Sequence, residues 1–309
     1  MYLTRSLDSW PHEACALTIG NFDGVHLGHQ AIIKQLVSSA RALKLPAALL
    51  LFEPQPLEFF VPHNAPGRIM TLLDKCQALS LLGLDAVVVL PFNQSLANYP
   101  ADQFVSSLLY RRLAMRYLLI GDDFRFGQGR MGDFALLQHM AVTLGYQVDA
   151  SGSHKLGADR VSSTLVRQAL ARHDFKRAEM LLGRPYQLSG RVIYGRQLAR
   201  QWGFPTANLR LKRRPALTGV FAVWARLANG QRVPGVANLG TKPSLADESY
   251  SLEVHLFAPV GELYGQRLTI EFVQGLRSVQ KFSNLDALRA QIQQDVRQAQ
   301  AIFDGNPVA

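Results

Sequence analysis

Four short runs of this chain, residues 16–20, 47–52, 86–90 and 117–121, are apolar almost without a break. A strand with one face in water alternates polar and apolar residues, so unbroken runs read as strands covered on both faces, the condition of a parallel sheet. The stretches between them fit that frame. Leu27, Ala31, Ile32, Leu36, Val37, Ala40 and Leu43 fall on one helical stripe, and segments 71–82, 101–113 and 132–144 show the same period. Strand alternating with helix predicts a doubly wound, Rossmann-like α/β domain.

The pattern changes after residue 182. Gly183 suits a helix cap and Pro185 cannot continue a helix, which sets domain limits of 1–184 and 185–309. Beyond it, segments 187–194, 219–228, 231–239, 250–257 and 267–274 are short, rich in Val, Leu and aromatics, and separated by turn residues. They predict a small antiparallel barrel or sandwich. One helix closes the chain, with Leu285, Leu288, Ile292, Val296, Ala299 and Phe303 spaced three or four apart behind a Ser283–Asp286 capping box.

Composition excludes several classes. With 48% hydrophobic and 18% charged residues, the chain is not disordered. No apolar run reaches the roughly 18 to 20 residues of a membrane helix, so no membrane partner is expected. The first eleven residues lack the cationic and apolar stretches of a secretory leader. Cys15 and Cys76 lie far apart in apolar segments, which points to a reducing compartment and a cytoplasmic location. Lys plus Arg exceed Asp plus Glu by 33 − 23 = 10. That balance favours anionic partners, but the basic residues are scattered apart from Arg111-Arg112 and Lys212-Arg213-Arg214, so no nucleic-acid partner is expected.

The string Gly20-Asn21-Phe22-Asp23-Gly24-Val25-His26-Leu27-Gly28-His29 joins the first strand to the first helix. Ligands of open α/β sheets bind at the carboxyl ends of strands, and a glycine-rich turn into a helix offers amides to a phosphate. His26 and His29 share a helical face and suit charge building on an α-phosphate. A capped turn and a solvated or metal-binding histidine pair are the plainer readings, but no further zinc-type ligands accompany the pair. Ser162, Ser163 and Thr164 open a later helix, with Arg167 one turn in and able to lean back toward an anion. Caps and a solvated arginine explain this second string equally well. Gly127-Gln128-Gly129-Arg130-Met131-Gly132 matches a dinucleotide fingerprint, yet it starts six residues after a strand and reads as a mobile glycine-rich loop.

The C-terminal half has no P-loop string. Thr206 and Asn208, in Gly203-Phe204-Pro205-Thr206-Ala207-Asn208-Leu209, point to one face if the segment is extended, where their oxygens suit a magnesium ion. On these residues alone, a turn before a strand is the simpler reading.

Taken together, the first strings resemble the nucleotidyltransferase superfamily. With Phe52-Glu53-Pro54-Gln55-Pro56 and Gly121-Asp122-Asp123-Phe124-Arg125-Phe126-Gly127, they are similar to the FMN adenylyltransferase module of bacterial bifunctional riboflavin kinase/FAD synthetases. The Pro-Thr-Ala-Asn string, Gly219-Val220-Phe221-Ala222, Val236-Ala237-Asn238-Leu239-Gly240 and Leu252-Glu253-Val254-His255-Leu256 resemble the riboflavin kinase domain of the same family in order and spacing. The resemblance runs from about residue 15 to 303. It implies a six-stranded antiparallel barrel for the second half, and riboflavin, FMN and ATP as substrates of a monomer or weak homo-oligomer.

The resemblance also implies residue roles. ATP for adenylyl transfer falls to Gly20, Asn21, Phe22, Asp23, His26, His29, Ser162, Ser163, Thr164 and Arg167, with His26, His29 and Arg167 stabilising charge. Pro54, Asp123 and Phe124 fall near the flavin. In the kinase half, Gly190, Gly195, Pro205, Thr206 and Asn208 fall to ATP, Thr206 and Asn208 to magnesium, and Glu253 to the base that takes the ribityl 5′-hydroxyl proton. Four positions depart from the family pattern, Ala199 for Gly, Phe221 for Tyr, Ser244 for Thr and Val279 for Glu.

Overall fold

A computed structural model describes residues 1–121, 123–152, 155–156, 159–195, 202–242 and 249–305. Asp122, Ala199 and Ser244 lie outside the described residues. The described residues divide into two compact units, one within Met1–Pro66 and Lys75–Ser162, the other within Gly67–Asp74 and Ser163–Ala309.

The first unit carries strands β1 (Tyr2–Thr4), β2 (Cys15–Ile19), β3 (Ala47–Phe52), β4 (Ala86–Leu90), β5 (Met115–Gly121) and β6 (Gln147–Ser151). They form one sheet, parallel throughout, in the order β1-β4-β3-β2-β5-β6. All of β2 and β4 is buried, which is why those runs are continuously apolar. Burial also pushes the Cys15 thiol up to about 12, against a smaller opposing pull from Arg116. Helices α1 (Leu27–Ala42), α2 (Pro56–Phe60), α3 (Leu72–Leu81), α4 (Gln94–Ala97), α5 (Ala101–Gln103) and α6 (Phe134–Leu144) connect the strands. Strand order reverses between β2 and β5, and the loops leaving their carboxyl ends flank the crevice such a reversal makes.

Three features differ from the sequence expectations. β1 and β6 were not expected, being short edge strands with exposed residues. Segment 101–113 winds as a π-helix over Phe104–Arg112 after one turn of α5. The glycine-rich loop at 127–132 is tied down. Phe126 and Gly132 exchange backbone hydrogen bonds at 3.1 and 2.9 Å, and the Gln128 amide donates to Tyr99 O at 2.8 Å.

A two-residue hairpin, β7 (Lys155–Leu156) with β8 (Asp159–Arg160), precedes the second unit. That unit opens with α7 (Ser163–Ala171) and α8 (Phe175–Leu182), the latter ended by Gly183 at φ 70° as its sequence predicted. Strands β9 (Gln187–Ile193), β10 (Thr206–Leu211), β11 (Gly219–Arg226), β12 (Arg232–Lys242), β13 (Ser249–Leu256) and β14 (Arg267–Arg277) close into a barrel in the order β10-β13-β12-β11-β14-β9. Leu209, Phe221, Ala237, Leu252, Val254 and Ile270 fill its interior and are fully buried. Pro-Thr-Ala-Asn does not precede a strand; its Thr206 begins β10, the second strand of the barrel in chain order and the one the sequence segments did not mark.

Phe175 of α8 packs on Phe221, Phe272 and Tyr186 with centroids 5.9, 6.0 and 6.5 Å away. Phe221, one of the four departures from the pattern that the resemblance implies, is thus a core ring at 0% exposure. The terminal helix α9 (Leu285–Phe303) lays Val296 and Ala299 against Val220, Ala222 and Val236. Asn284, rather than Ser283, caps it by accepting from the Ala287 amide at 2.8 Å. Asn at the residue before the first helical turn wins because its side chain reaches the third amide directly.

Residues 67–74 form a strap on the barrel. The Arg68 amide donates to Arg214 O at 2.7 Å, and the Ala216 amide to Arg68 O at 2.8 Å. Asp74 is buried, accepts from Arg267 Nη2 at 2.9 Å and Thr71 Oγ1 at 2.7 Å, and is also bonded by the Ser189 hydroxyl.

Candidate functional site

The phosphate-loop string turns out of β2 into α1 through a strained backbone. Phe22, Gly24 and Val25 all have positive φ, at 45°, 86° and 42°. Two of the three are not glycine, so the surrounding contacts must hold them there. Phe22 and Asp23 are buried, at 4% and 2% exposure, while Asn21 is exposed. A methyl group on Gly20 would press the Phe22 ring at 3.1 Å.

One such contact is Lys75, which the motifs gave no reason to single out. Its ammonium, in a residue only 2% exposed, donates to Asn21 O at 2.6 Å. A buried lysine is rare, and here its charge is spent on a loop backbone rather than on solvent.

His26 is the N-cap of α1, its Nδ1 accepting from the His29 amide at 3.3 Å. That bond places the proton of a neutral His26 on Nε2. The His26 and His29 rings stack at 3.6 Å and 18°, with Phe22 on the other partner at 4.6 Å from His29. Gly28 leaves room beneath them, since a Cβ there would press the His26 ring and the Val161 carbonyl at 3.2 Å. The capped turn and the histidine pair are one construction, so the plainer reading of the glycines and the phosphate reading describe the same geometry.

Ser162 closes the first unit, and Ser163 opens α7 in the second with Thr164 exposed beside it. Arg167, half-buried, donates from Nε to Gly67 O at 2.7 Å, so the strap fixes its guanidinium.

The loops after β3 and β5 carry the residues assigned to flavin. Pro54 follows a cis peptide bond from Glu53. After β4, Phe92 packs edge-on to Phe52, Phe59 and Phe60 at 5.7, 5.5 and 5.6 Å, and Phe60 remains 58% exposed. Phe59, Phe60 and Phe92 belong to no motif string, so nothing in the sequence singled them out. Asp123 is exposed and ion-pairs with Arg160 at 3.3 Å, and Phe124 stacks on Phe126 at 5.5 Å.

On the barrel, register decides what meets. Asn208 pairs with Glu253, and Thr206 with His255, across β10 and β13; on the other side of β13, Asn238 pairs with Glu253. Cross-strand partners share a face, and the alternate residues Ala207, Leu209, Leu252 and Val254 are the buried interior set, so Thr206, Asn208, Asn238 and Glu253 project outward together. Asn208 is 6% exposed and Glu253 half-buried. The Asn208 amide lies 3.5 Å from Thr206 Oγ1. Gly195 is pressed on it, since an added Cβ would stand 2.4 Å from Asn208 Nδ2. Pro205 is exposed, and its carbonyl is bonded by His255. A Cβ added to Gly190 would stand 3.2 Å from the Leu209 side chain, a packing reason for its small size. Val279 is 51% exposed, and a Cβ added to Gly240 would meet its side chain at 3.5 Å.

Two chemistries are therefore laid out. The first unit has a glycine-rich helix start topped by two imidazoles, suited to a phosphate at which charge builds. The barrel has two neutral oxygen donors beside a carboxylate, suited to a nucleotide-bound hard cation and to proton removal from an alcohol. Among the described residues, no His, Cys, Asp and Glu cluster of metal-site size occurs, and no helix is long and apolar enough to cross a membrane.

Comparison with known proteins agrees with this layout. Residues 8–165 match the FAD synthetase family and residues 182–303 match the riboflavin kinase family. The chain is 48% identical over 306 residues to the bifunctional riboflavin kinase/FMN adenylyltransferase of Pseudomonas fluorescens, covering 98% of each chain. It is 46% identical to the protein of that name from Haemophilus influenzae, covering 94% of this chain and 95% of the other, and 43% to that of Escherichia coli K12, covering 97% and 96%. A crystal structure named as a macrolide-efflux protein from Streptococcus pneumoniae superposes with a TM-score of 0.74 over 95% of this chain and 96% of its own. At 24% identity that likeness is one of fold.

Proposed function

Because the chain belongs to the bifunctional riboflavin kinase/FMN adenylyltransferase family, we propose that its two activities divide between residues 1–184 and 185–309 and rest on the two sets of residues just described. The chain phosphorylates riboflavin with ATP to give FMN, and adenylylates FMN to give FAD and pyrophosphate.

In the kinase step, Glu253 takes the proton of the riboflavin 5′-hydroxyl as its oxygen attacks the γ-phosphorus and ADP leaves. Thr206 and Asn208 hold magnesium on the ATP phosphates, a fit supported by their neutral oxygen donors lying together on one outward face. When bound, magnesium neutralises charge on the phosphate oxygens. Gly195 and Pro205 shape the backbone around that pair.

In the adenylyl step, an FMN phosphate oxygen attacks the α-phosphorus in line, the α–β anhydride bond breaks, and pyrophosphate departs. His26 and His29 stabilise the charge on the α-phosphate oxygens, while Gly20, Asn21, Phe22 and Asp23 present the loop. Ser162, Ser163, Thr164 and Arg167 are assigned to the same nucleotide on the family motif. The flavin ring lies by Pro54, Asp123 and Phe124, and the exposed Phe60 and its neighbours add an aromatic wall suited to a planar ring. The protein works on dissolved substrates in the cytoplasm as a monomer or weak homo-oligomer, without nucleic acid.

The register that sets Glu253 opposite Asn208 is the observation that carries this division of labour. The test is to incubate the protein with riboflavin, ATP and magnesium and to separate the flavins over time. FMN followed by FAD is expected; riboflavin left unchanged while supplied FMN becomes FAD overturns the kinase assignment.

A further inference from the structure

His255 sits two residues beyond Glu253 on the same outward face of β13, directly opposite Thr206. Its Nδ1 lies 2.9 Å from Pro205 O, and because a carbonyl only accepts, Nδ1 carries the proton. The ring is half-buried, edge-on to Phe204 at 5.4 Å and to Phe257 at 6.0 Å, so two aromatic contacts help to hold its plane. Phe204 and Pro205 are the two residues that lead into Thr206 and lie ahead of the first strand pair, Thr206 with His255. The backbone entering the strand is thus pinned by a side chain of the neighbouring strand.

We infer that His255 is a positioning residue for the kinase nucleotide: by holding the Pro205 carbonyl it fixes where Thr206 Oγ1 points, and so the oxygen pair formed with Asn208. The inference rests on the assignment of Thr206 and Asn208 to the magnesium-bound nucleotide. It adds a residue that acts on the site through the backbone of Pro205. Solvent competes for an exposed carbonyl, so losing this bond frees the Pro205 peptide to rotate without unfolding the barrel.

Two substitutions separate this role from simple packing. His255→Leu keeps bulk between Phe204 and Phe257 and removes the donor. His255→Asn keeps a side-chain N–H near the place of Nδ1 and removes most of the ring. The readouts are calorimetric binding of ADP with magnesium, the KM for ATP and kcat of riboflavin phosphorylation, and thermal unfolding with circular dichroism of the same preparations as a check that the barrel is folded.

His255→Leu is expected to weaken ADP binding and raise the KM for ATP about tenfold, the loss of one ordinary hydrogen bond, with kcat changed less. His255→Asn is expected to stay within about threefold of the parent. Unchanged ADP affinity in His255→Leu overturns the inference, as does His255→Asn failing as badly as His255→Leu, which would make the ring's packing its whole role. Thr206→Ala distinguishes the underlying assignment. Weakened binding in Thr206→Ala with none in His255→Leu overturns the positioning role alone, whereas wild-type affinity in Thr206→Ala overturns the magnesium assignment and the inference with it.

Discussion

Glu253 stands directly across from Asn208 in the strand register, so a carboxylate and an amide from separate strands of the barrel share one outward face. Replacing Glu253 by Gln keeps the shape of that face and removes the base. FMN formation should fall at least about 100-fold, the usual contribution of a positioned base. FAD formation from supplied FMN should be unchanged. Flavin chromatography with each substrate offered separately checks both.

His29 and His26 should respond differently to the same change. His29→Ala should abolish FAD formation while riboflavin phosphorylation continues at the parent rate. His26 also caps α1, so His26→Ala should lose FAD formation and, in addition, about 1 kcal/mol of stability. Steady-state assays paired with thermal melts distinguish the two.

Gly195→Ala tests the closeness of a backbone to a candidate metal ligand. The new methyl would stand 2.4 Å from Asn208 Nδ2 and must displace that side chain. The KM for ATP in the kinase reaction should rise several-fold while adenylylation is untouched, which initial-rate kinetics of the two reactions will show.

A pH effect is expected at the Arg41–Asp85 pair, whose two hydrogen bonds measure 2.6 and 2.9 Å. Burial pushes the Asp85 carboxyl up, but the Arg41 guanidinium and the Ala47 amide outweigh it and leave the group below its ordinary value. Such a group contributes stability that is fully present above the ordinary carboxylate value and is lost as pH falls through the lower folded value. Asp85→Asn should therefore lower the Tm near neutral pH and have little effect at a pH under the folded value. With side chains 53% and 34% exposed, the effect should be modest and should shrink in high salt. Melts across pH at two salt concentrations measure it.

The fold was legible where burial left a periodic mark. β2 to β5 announced themselves because both faces are covered, and α9 because its apolar stripe meets one side of the barrel. β1 and β6 left no such mark, being exposed edges. β10 was hidden by its own motif, since Pro205 and Asn208 look like turn residues until the register shows Asn208 paired with Glu253. The histidines, Glu253 and Thr206 were found through motif wording. Lys75 and His255 were not, because a buried ammonium against one carbonyl and an imidazole against another are long-range contacts, separated by 54 and 50 residues, that no spacing rule encodes. The strap at 67–74 is invisible for the same reason.

That strap gives the barrel a timetable. The carboxylate of Asp74 leaves the ribosome long before its partners, for Ser189 follows 115 residues later and Arg267 193 residues later. At about 5–20 residues per second, Arg267 is made roughly ten to forty seconds after Asp74. During that interval β4, β5 and β6 are also made, so the parallel sheet is complete at Ser151 while Arg267 is still to come, and the barrel's first piece waits, hydrated, within a stretch of chain whose neighbours can already be folding.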